Sequence, residues 1–319
     1  MNIDKNEIKP HVTWVDIDED QAGQRLDNFL ITHLKGVPRS RIYRIIRKGE
    51  VRINKGRVNV KYRLTCGDKV RIPPVRLAEK TQNVFIKSAL KNSLENDILF
   101  EDEFLMALNK PSGFAVHGGT GIDSGVIEAL RVLRPDAHYL ELVHRLDKDT
   151  SGCLLIAKKR SALRSLHELF RGDGIQKTYL ALLAGCWQRK KQEVDVPLLK
   201  NTAKSGERMV VVSKAGKQAQ TFFRRMQRFQ NATLVEASPK TGRTHQIRVH
   251  AAYLGHPIIA DERYGDRSIN QQFKQKGYKR LFLHAKSLRF PHPSTGEIIT
   301  LDAPLPSSLT TLLNHEQSL

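Results

Sequence analysis

The chain has 319 residues, room for about two domains at roughly 100–200 residues each, and its 39% hydrophobic and 7% aromatic content suits a globular protein with a charged surface. Lys and Arg number 53 against 33 Asp and Glu, a net charge of +20 that points to a polyanionic partner, with nucleic acid ahead of a membrane surface because no basic amphipathic stretch has a strong Trp/Phe face. No apolar run approaches the roughly 18 residues of a membrane span, residues 1–10 hold no signal-peptide core, and Cys66, Cys153 and Cys186 form neither a Cys-x-x-Cys pair nor an even disulfide framework, so the expectation is a cytoplasmic protein.

The charge is concentrated near the front. Between Ala22 and Leu77 stand fifteen Lys/Arg and three acids (Asp27, Glu50, Asp68), a net of +12. Leu26, Phe29, Leu30 and Leu34 fall at helical spacing, and Gly36 and Pro38 end that helix. Ser40 is positioned to cap a second helix with Ile42, Ile45 and Ile46 on its apolar face. Arg41, Arg44 and Lys48 share the opposite face, with Arg39 at the helix start, and Gly49 ends it. Strand-like runs follow at Val51–Asn54, Gly56–Tyr62 and Lys69–Ile72, closed by Pro73-Pro74. Two short helices, a small sheet and an arginine face resemble an S4-type RNA-binding domain over residues 22–77. The resemblance makes Arg39, Arg41, Arg44 and Lys48 candidate RNA contacts.

Residues 78–97 are polar with weak periodicity and read as a linker. From residue 98 to about 310, short β runs dominate: Leu105–Asn109, Cys153–Ala157, Tyr179–Leu183, Ala232–Ala237, Leu281–Phe290 and Ile298–Leu301. Helices are expected at Ser161–Arg171 and Thr244–Leu254, the second capped by Thr244. Strand groups broken by occasional helices predict an α+β domain with a mixed, mainly antiparallel sheet.

Four stretches carry chemistry. His144-Arg145-Leu146-Asp147-Lys148-Asp149-Thr150-Ser151-Gly152 crowds polar groups into a loop before an apolar strand. Thr241-Gly242-Arg243-Thr244-His245-Gln246-Ile247-Arg248-Val249-His250 joins a tight turn to a helix start suited to phosphate. Its histidines are five apart with no Glu beside the first, so a zinc-hydrolase motif fails and no metal is expected. Tyr179 opens an apolar strand in Gln176-Lys177-Thr178-Tyr179-Leu180-Ala181. Asn109-Lys110-Pro111-Ser112-Gly113 lacks the ending of a nucleotide loop and reads as a structural turn.

Taken together and in this chain order, these stretches, with Leu281-Phe282-Leu283-His284-Ala285, resemble the RluA-type pseudouridine synthases over roughly residues 98–305. Leu34-Lys35-Gly36-Val37-Pro38, Ile72-Pro73-Pro74-Val75-Arg76, His117-Gly118-Gly119 and Gly125–Arg131 resemble the branch acting on large-subunit (23S) ribosomal RNA. The resemblance implies that a uridine is flipped out of its stack and isomerised, with Asp147 as the catalytic carboxylate and Arg248 as its charge partner. Tyr179 and Ile247 would form an apolar slot for the uracil. Arg145 would fill the vacated stack, and Lys177, Arg243, His245 and Gln246 would contact RNA. Nothing is oxidised and no group is donated, so no cofactor is expected. A monomer is the default, since no coiled coil or long apolar edge stands out. Two alternatives stay open: a ribosome-associated RNA-binding protein without chemistry, which explains the charge but not Asp147, and the same isomerase acting on transfer RNA.

Overall fold

The computed structural model describes residues 11–19, 21–34, 36–75, 86, 88–118, 125–202 and 208–316. Lys35, Arg76, Gly119 and, within the expected linker, residues 78–85 and 87 lie outside these. The chain divides into two compact units at Asn83/Val84.

The first unit holds β1 (Thr13–Asp16), α1 (Leu26–His33), α2 (Arg39–Arg47), β2 (Arg52–Ile53) and β3 (Lys69–Ile72). The strands form an antiparallel sheet in the order β1-β3-β2. Leu26, Phe29 and Leu30 of α1 and Ile42, Ile45 and Ile46 of α2 share one core with Ile53, Val70 and Ile72. Two of the three acids expected to dilute its charge are buried. Asp27 accepts from Arg25 and Tyr43, and Asp68 accepts from Asn54, Tyr62 and the Thr65 backbone. They serve the core as hydrogen-bond acceptors, Asp27 in an ion pair with Arg25, and do not face the open surface.

Two local expectations fail here. Pro38, not Ser40, is the N-cap of α2, since the Arg41 and Ile42 amides bond to the Pro38 carbonyl and Ser40 lies inside the helix. Residues 56–62 form no strand. Asn54 and Lys55 take positive φ, the chain folds back so that Gly56 and Ile53 bond each other, and a turn at Asn59 follows. The sheet instead gains β1, upstream of residue 22.

The second unit starts with α3 (Ser88–Asn96), a helix inside the stretch read as linker, anchored by buried Leu90 and Leu94. There follow β4 (Ile98–Glu101), β5 (Leu105–Lys110), α4 (Val126–Leu133), β6 (Glu141–Leu142), β7 (Ser151–Ala157), α5 (Arg160–Arg171) and β8 (Gln176–Ala184). Then come β9 (Lys191–Asp195), β10 (Leu198–Thr202), β11 (Arg208–Val212), β12 (Gln220–Arg228), β13 (Ala232–Pro239) and α6 (Gln246–Tyr253). The chain ends with α7 (Arg267–Gln275), β14 (Leu283–Pro291), β15 (Ile298–Asp302) and α8 (Ser307–His315).

Among the described residues, the main sheet runs β4-β5-β7-β14-β8-β13-β12-β9, with β15 beside β14 and β6 beside β7, while β10 and β11 form a separate ribbon. Every pairing is antiparallel except β7 with β14, so the mixed, mainly antiparallel α+β expectation holds. β7 is buried at all seven positions, as a strand covered on both faces must be. One register detail positions the site. Ala285 of β14 pairs with Gly152 of β7 on one side and Tyr179 of β8 on the other, so the polar loop before β7 and the tyrosine of β8 meet across a single strand. α6 starts two residues later than expected, and its N-cap is His245 rather than Thr244. No described helix is long and apolar enough to cross a membrane.

Candidate active site

The loop 144–150 is held from behind. Lys110, at the end of β5 and 1% exposed, donates to the carbonyls of Pro111 (2.8 Å), Phe114 (2.8 Å) and Lys148 (3.1 Å). Burial pushes its pKa down to about 7. Ser112 donates to the Asp149 carbonyl and Gly113 to that of Lys148, so the segment read as a structural turn is a clamp on this loop. The loop's other end is set by His144, whose Nε2 accepts the Leu155 amide at 3.1 Å while its ring stacks on Phe170 at 4.9 Å. Burial and then the Lys177 charge push the His144 pKa down to about 3, which keeps the ring neutral and able to accept. Gly152 closes the loop with φ +110; a Cβ there would meet the Ala285 carbonyl oxygen at 2.2 Å.

Asp147 emerges from this frame with its side chain 20% exposed. Arg248, on the first turn of α6, reaches its Oδ2 through Nη1 at 3.2 Å. The other edge of the guanidinium is occupied: Nε and Nη2 bind both oxygens of Asp261 at 2.8 Å each, the bidentate geometry that suits Arg. Asp261, 1% exposed, also accepts the Arg263 and Tyr264 amides. Burial alone would raise its pKa, but the Arg248 hydrogen bonds and charge outweigh this and hold it below the usual value. Burial likewise opposes the Arg248 charge, and Asp261 with Asp147 more than restores it. Arg248 is therefore locked by one carboxylate and presents one N–H to the other.

His245 lies beside the same carboxylate. Its Nε2 is 3.8 Å from Asp147 Oδ1, and its Nδ1 is 2.7 Å from Tyr264 Oη. Its backbone is left-handed (φ 54, ψ 19), a conformation uncommon for a residue other than glycine. The histidines five apart diverge: His250 is buried against Thr221 and the Val196 carbonyl, away from Asp147.

Asp147, His245 and Arg248 line a pocket of about 610 Å³ with Arg145, Lys177, Tyr179, Arg243, Gln246 and Ile247. Tyr179 and Ile247 share an apolar cluster, and burial followed by the nearby Asp147 raises the Tyr179 pKa, so the phenol stays protonated. Arg145 and Arg243 are exposed at the pocket, Arg243 with its Nε on the Gln218 carbonyl. Lys177 reaches the Lys240 carbonyl at 3.4 Å. Gln246 is 4% exposed; its amide is engaged by Thr241, the Arg243 amide, Thr221 and the Gln220 carbonyl, so it braces the turn at 241–245.

In the first unit, Arg41, Arg44, Arg47 and Lys48 line a groove of about 970 Å³ with Val37, Pro38, Ser40, Pro74 and Val75. Arg39 is exposed on the same helix but is not among the groove's lining residues.

Sequence reasoning brought Asp147, Tyr179, Ile247 and Arg248 together and missed Asp261 and Tyr264. Their signal was present in Asp261-Glu262-Arg263-Tyr264-Gly265, an acid and a phenol in a short loop just after Pro257-Ile258-Ile259-Ala260.

Residues 104–253 match the RNA pseudouridylate synthase family, and residues 24–70 match the S4 domain. The chain is 58% identical over 317 residues to the ribosomal large subunit pseudouridine synthase C of Pasteurella multocida, covering 98% of this chain and 97% of that one. It is 57% identical over 307 residues to the protein of the same name from Escherichia coli K12, covering 95% and 96%. Among solved structures, human RNA pseudouridylate synthase domain containing 1 superposes with a TM-score of 0.60 at 26% identity over 71% of this chain and 90% of that one. Human RNA pseudouridylate synthase domain containing 4 gives 0.58 at 29% over 71% and 95%. Near-full-length identity of this size, on a fold and motif order that agree, means that the chain belongs to the RNA pseudouridylate synthase family, with an S4 domain ahead of its synthase domain.

Proposed function

We propose that this chain isomerises specific uridines of large-subunit ribosomal RNA to pseudouridine, with Asp147 as the catalytic carboxylate. The observation that carries the reading is the Arg248 Nη1–Asp147 Oδ2 contact of 3.2 Å at the wall of a pocket that Tyr179 and Ile247 also line. A carboxylate acting at the bond between ribose and base needs its charge kept and its direction set, and Arg248 does both. The relatives named for the large ribosomal subunit supply the substrate class.

The target uridine leaves its stack at a cost of a few kcal/mol. Its base enters the slot between Tyr179 and Ile247, while Arg145 occupies the vacated position. Lys177 and Arg243 hold phosphates at the rim, Gln246 sets the turn that carries Arg243, and His245 contacts the flipped nucleotide. The base detaches from the ribose at N1, turns, and rejoins through C5; the C5 proton is lost and N1 gains one. This redistribution needs no oxidant and no group donor, so the proposal includes no cofactor. Residues 22–77 anchor RNA through Arg39, Arg41, Arg44 and Lys48, residues 98–310 form the catalytic domain behind the 78–97 connection, and the protein works as a cytoplasmic monomer.

The test is Asp147→Ala. The purified variant should bind large-subunit RNA with a Kd within about twofold of wild type yet make no pseudouridine. Full activity in that variant, or an unchanged pseudouridine map of large-subunit RNA in cells lacking the gene, would refute the assignment.

A further inference from the structure

Arg248 takes one oxygen of Asp147 and leaves the other facing His245. The separation there, 3.8 Å from Oδ1 to Nε2, is too long for a direct hydrogen bond. The ring's proton can be located from its neighbours. Tyr264 Oη accepts the Val210 amide at 3.0 Å and stands 2.7 Å from His245 Nδ1, so its own proton finds its acceptor in Nδ1. Burial lowers the His245 pKa, against the pull of Asp147, and the neutral ring carries one proton. With Tyr264 Oη donating to Nδ1, the matching tautomer carries its proton on Nε2, the nitrogen 3.8 Å from the carboxylate. The ring is also restrained: its backbone is left-handed at the N-cap of α6, and it packs edge-on to Tyr264 at 5.5 Å.

A donor and an acceptor 3.8 Å apart on a pocket wall leave room for one oxygen about 2.8 Å from each. That oxygen must accept from Nε2–H and donate to Oδ1. Among a nucleotide's own oxygens, a base carbonyl accepts only, and a phosphate oxygen would meet the carboxylate with like charge; a hydroxyl does both. Inside an RNA chain the 3′ and 5′ oxygens are esterified, so the free hydroxyl is the 2′ one, and it lies one carbon from the bond on which Asp147 acts.

We propose that His245 Nε2 and Asp147 Oδ1 together seat the 2′-hydroxyl of the target nucleotide, which makes His245 a substrate-reading residue that selects ribose over 2′-deoxyribose. The proposal rests on the uridine isomerisation set out above.

The experiment uses the full chain and large-subunit RNA fragments carrying, at a position the wild-type protein modifies, either uridine or 2′-deoxyuridine. Single-turnover rates are measured for wild type, His245→Gly and His245→Asn. Glycine and asparagine both accept the left-handed backbone, so the helix start is kept. Wild type should be slower on the deoxy substrate by about tenfold or more, as when one hydrogen bond in a closed site is lost. His245→Gly should slow on uridine by a similar factor and change little on deoxyuridine, so that its two rates converge within about twofold. His245→Asn, whose amide is too short to reach, should do the same. Equal slowing on both substrates, which a purely structural role would give, overturns the proposal, as do equal wild-type rates on both. If both variants fail to fold by circular dichroism, the wild-type comparison decides alone. Pseudouridine formed in the uridine fragment without discrimination removes the ribose seat but leaves the isomerisation standing. No pseudouridine in any large-subunit RNA removes both.

Discussion

The side chain with most leverage in the site makes no contact with Asp147. Asp261 is buried and takes two of the Arg248 donors, so it decides where the third points. Asp261→Asn keeps the volume but turns an amide N–H₂ toward a guanidinium and leaves Arg248 short of one negative charge. Removing one partner of a buried pair costs about 3–5 kcal/mol, and a displaced Arg248 should lower kcat by about a hundredfold with little change in the RNA KM. Denaturant melts and single-turnover kinetics check both numbers. The pH sign follows from the direction of the shift. The folded Asp261 pKa lies below the ordinary aspartate value of 3.8, so the carboxylate's contribution is complete above that value and is lost as pH falls through the lower folded one. The acid limb of the stability curve should flatten in Asp261→Asn.

Lys110 acts at the same scale, with the same pH sign in a more alkaline window. Its pKa falls from 10.5 unfolded to about 7 folded, so between those values the unfolded chain binds more protons and stability rises with pH. Lys110→Met should remove that contribution, seen as a shallower rise of unfolding free energy from about pH 7 to about pH 10 than in wild type. It also leaves the Pro111, Phe114 and Lys148 carbonyls without their shared donor, and pseudouridine formation at pH 7 should drop by about tenfold or more.

Among elements, the critical junction is where β7, β14 and β8 meet at Ala285. Gly152 allows it twice over, through a positive φ and through the absence of a Cβ that would meet the Ala285 carbonyl oxygen at 2.2 Å. Gly152→Ala must either break the parallel β7–β14 pairing or displace the loop bearing Asp147. A cost of at least about 2 kcal/mol is expected, read as a lowered denaturation midpoint, with activity lost even where the variant folds. The elements missed from sequence have physical causes. The sequence of α3 reads as linker because only Leu90 and Leu94 mark its buried face, too few for a periodic signal. Residues 56–62 looked like a strand because valines and a tyrosine alternate with polar residues there, but the turn at 53–56 diverts the chain.

For the whole molecule, the charge is unevenly assigned. Two of the three acids in the front module are buried as hydrogen-bond hubs, while Arg41, Arg44, Arg47 and Lys48 line an open groove. Replacing these four with alanine should weaken RNA binding, raise KM and leave kcat nearly unchanged. The slope of log affinity against log salt should fall by about 3, one counterion's share for each lost cation. A drop in kcat as large as the rise in KM would instead implicate the groove in the chemical step.

The front module's charge, the helical period of α1 and α2, the apolar runs of the main strands and the order of the polar motifs could all be read from the chain alone, because periodicity, composition and local spacing are properties of neighbouring residues. The resemblance that those motifs together carry to the RluA-type synthases, rather than composition or spacing, grouped Asp147, Tyr179, Ile247 and Arg248. What the tertiary structure alone decided is how they are held: Asp261 behind Arg248, Tyr264 behind His245, Lys110 behind the loop, and three strands converging at Ala285. Each of these joins residues from 13 to more than a hundred positions apart, and a buried polar group finds its partner in space, where sequence distance carries no information.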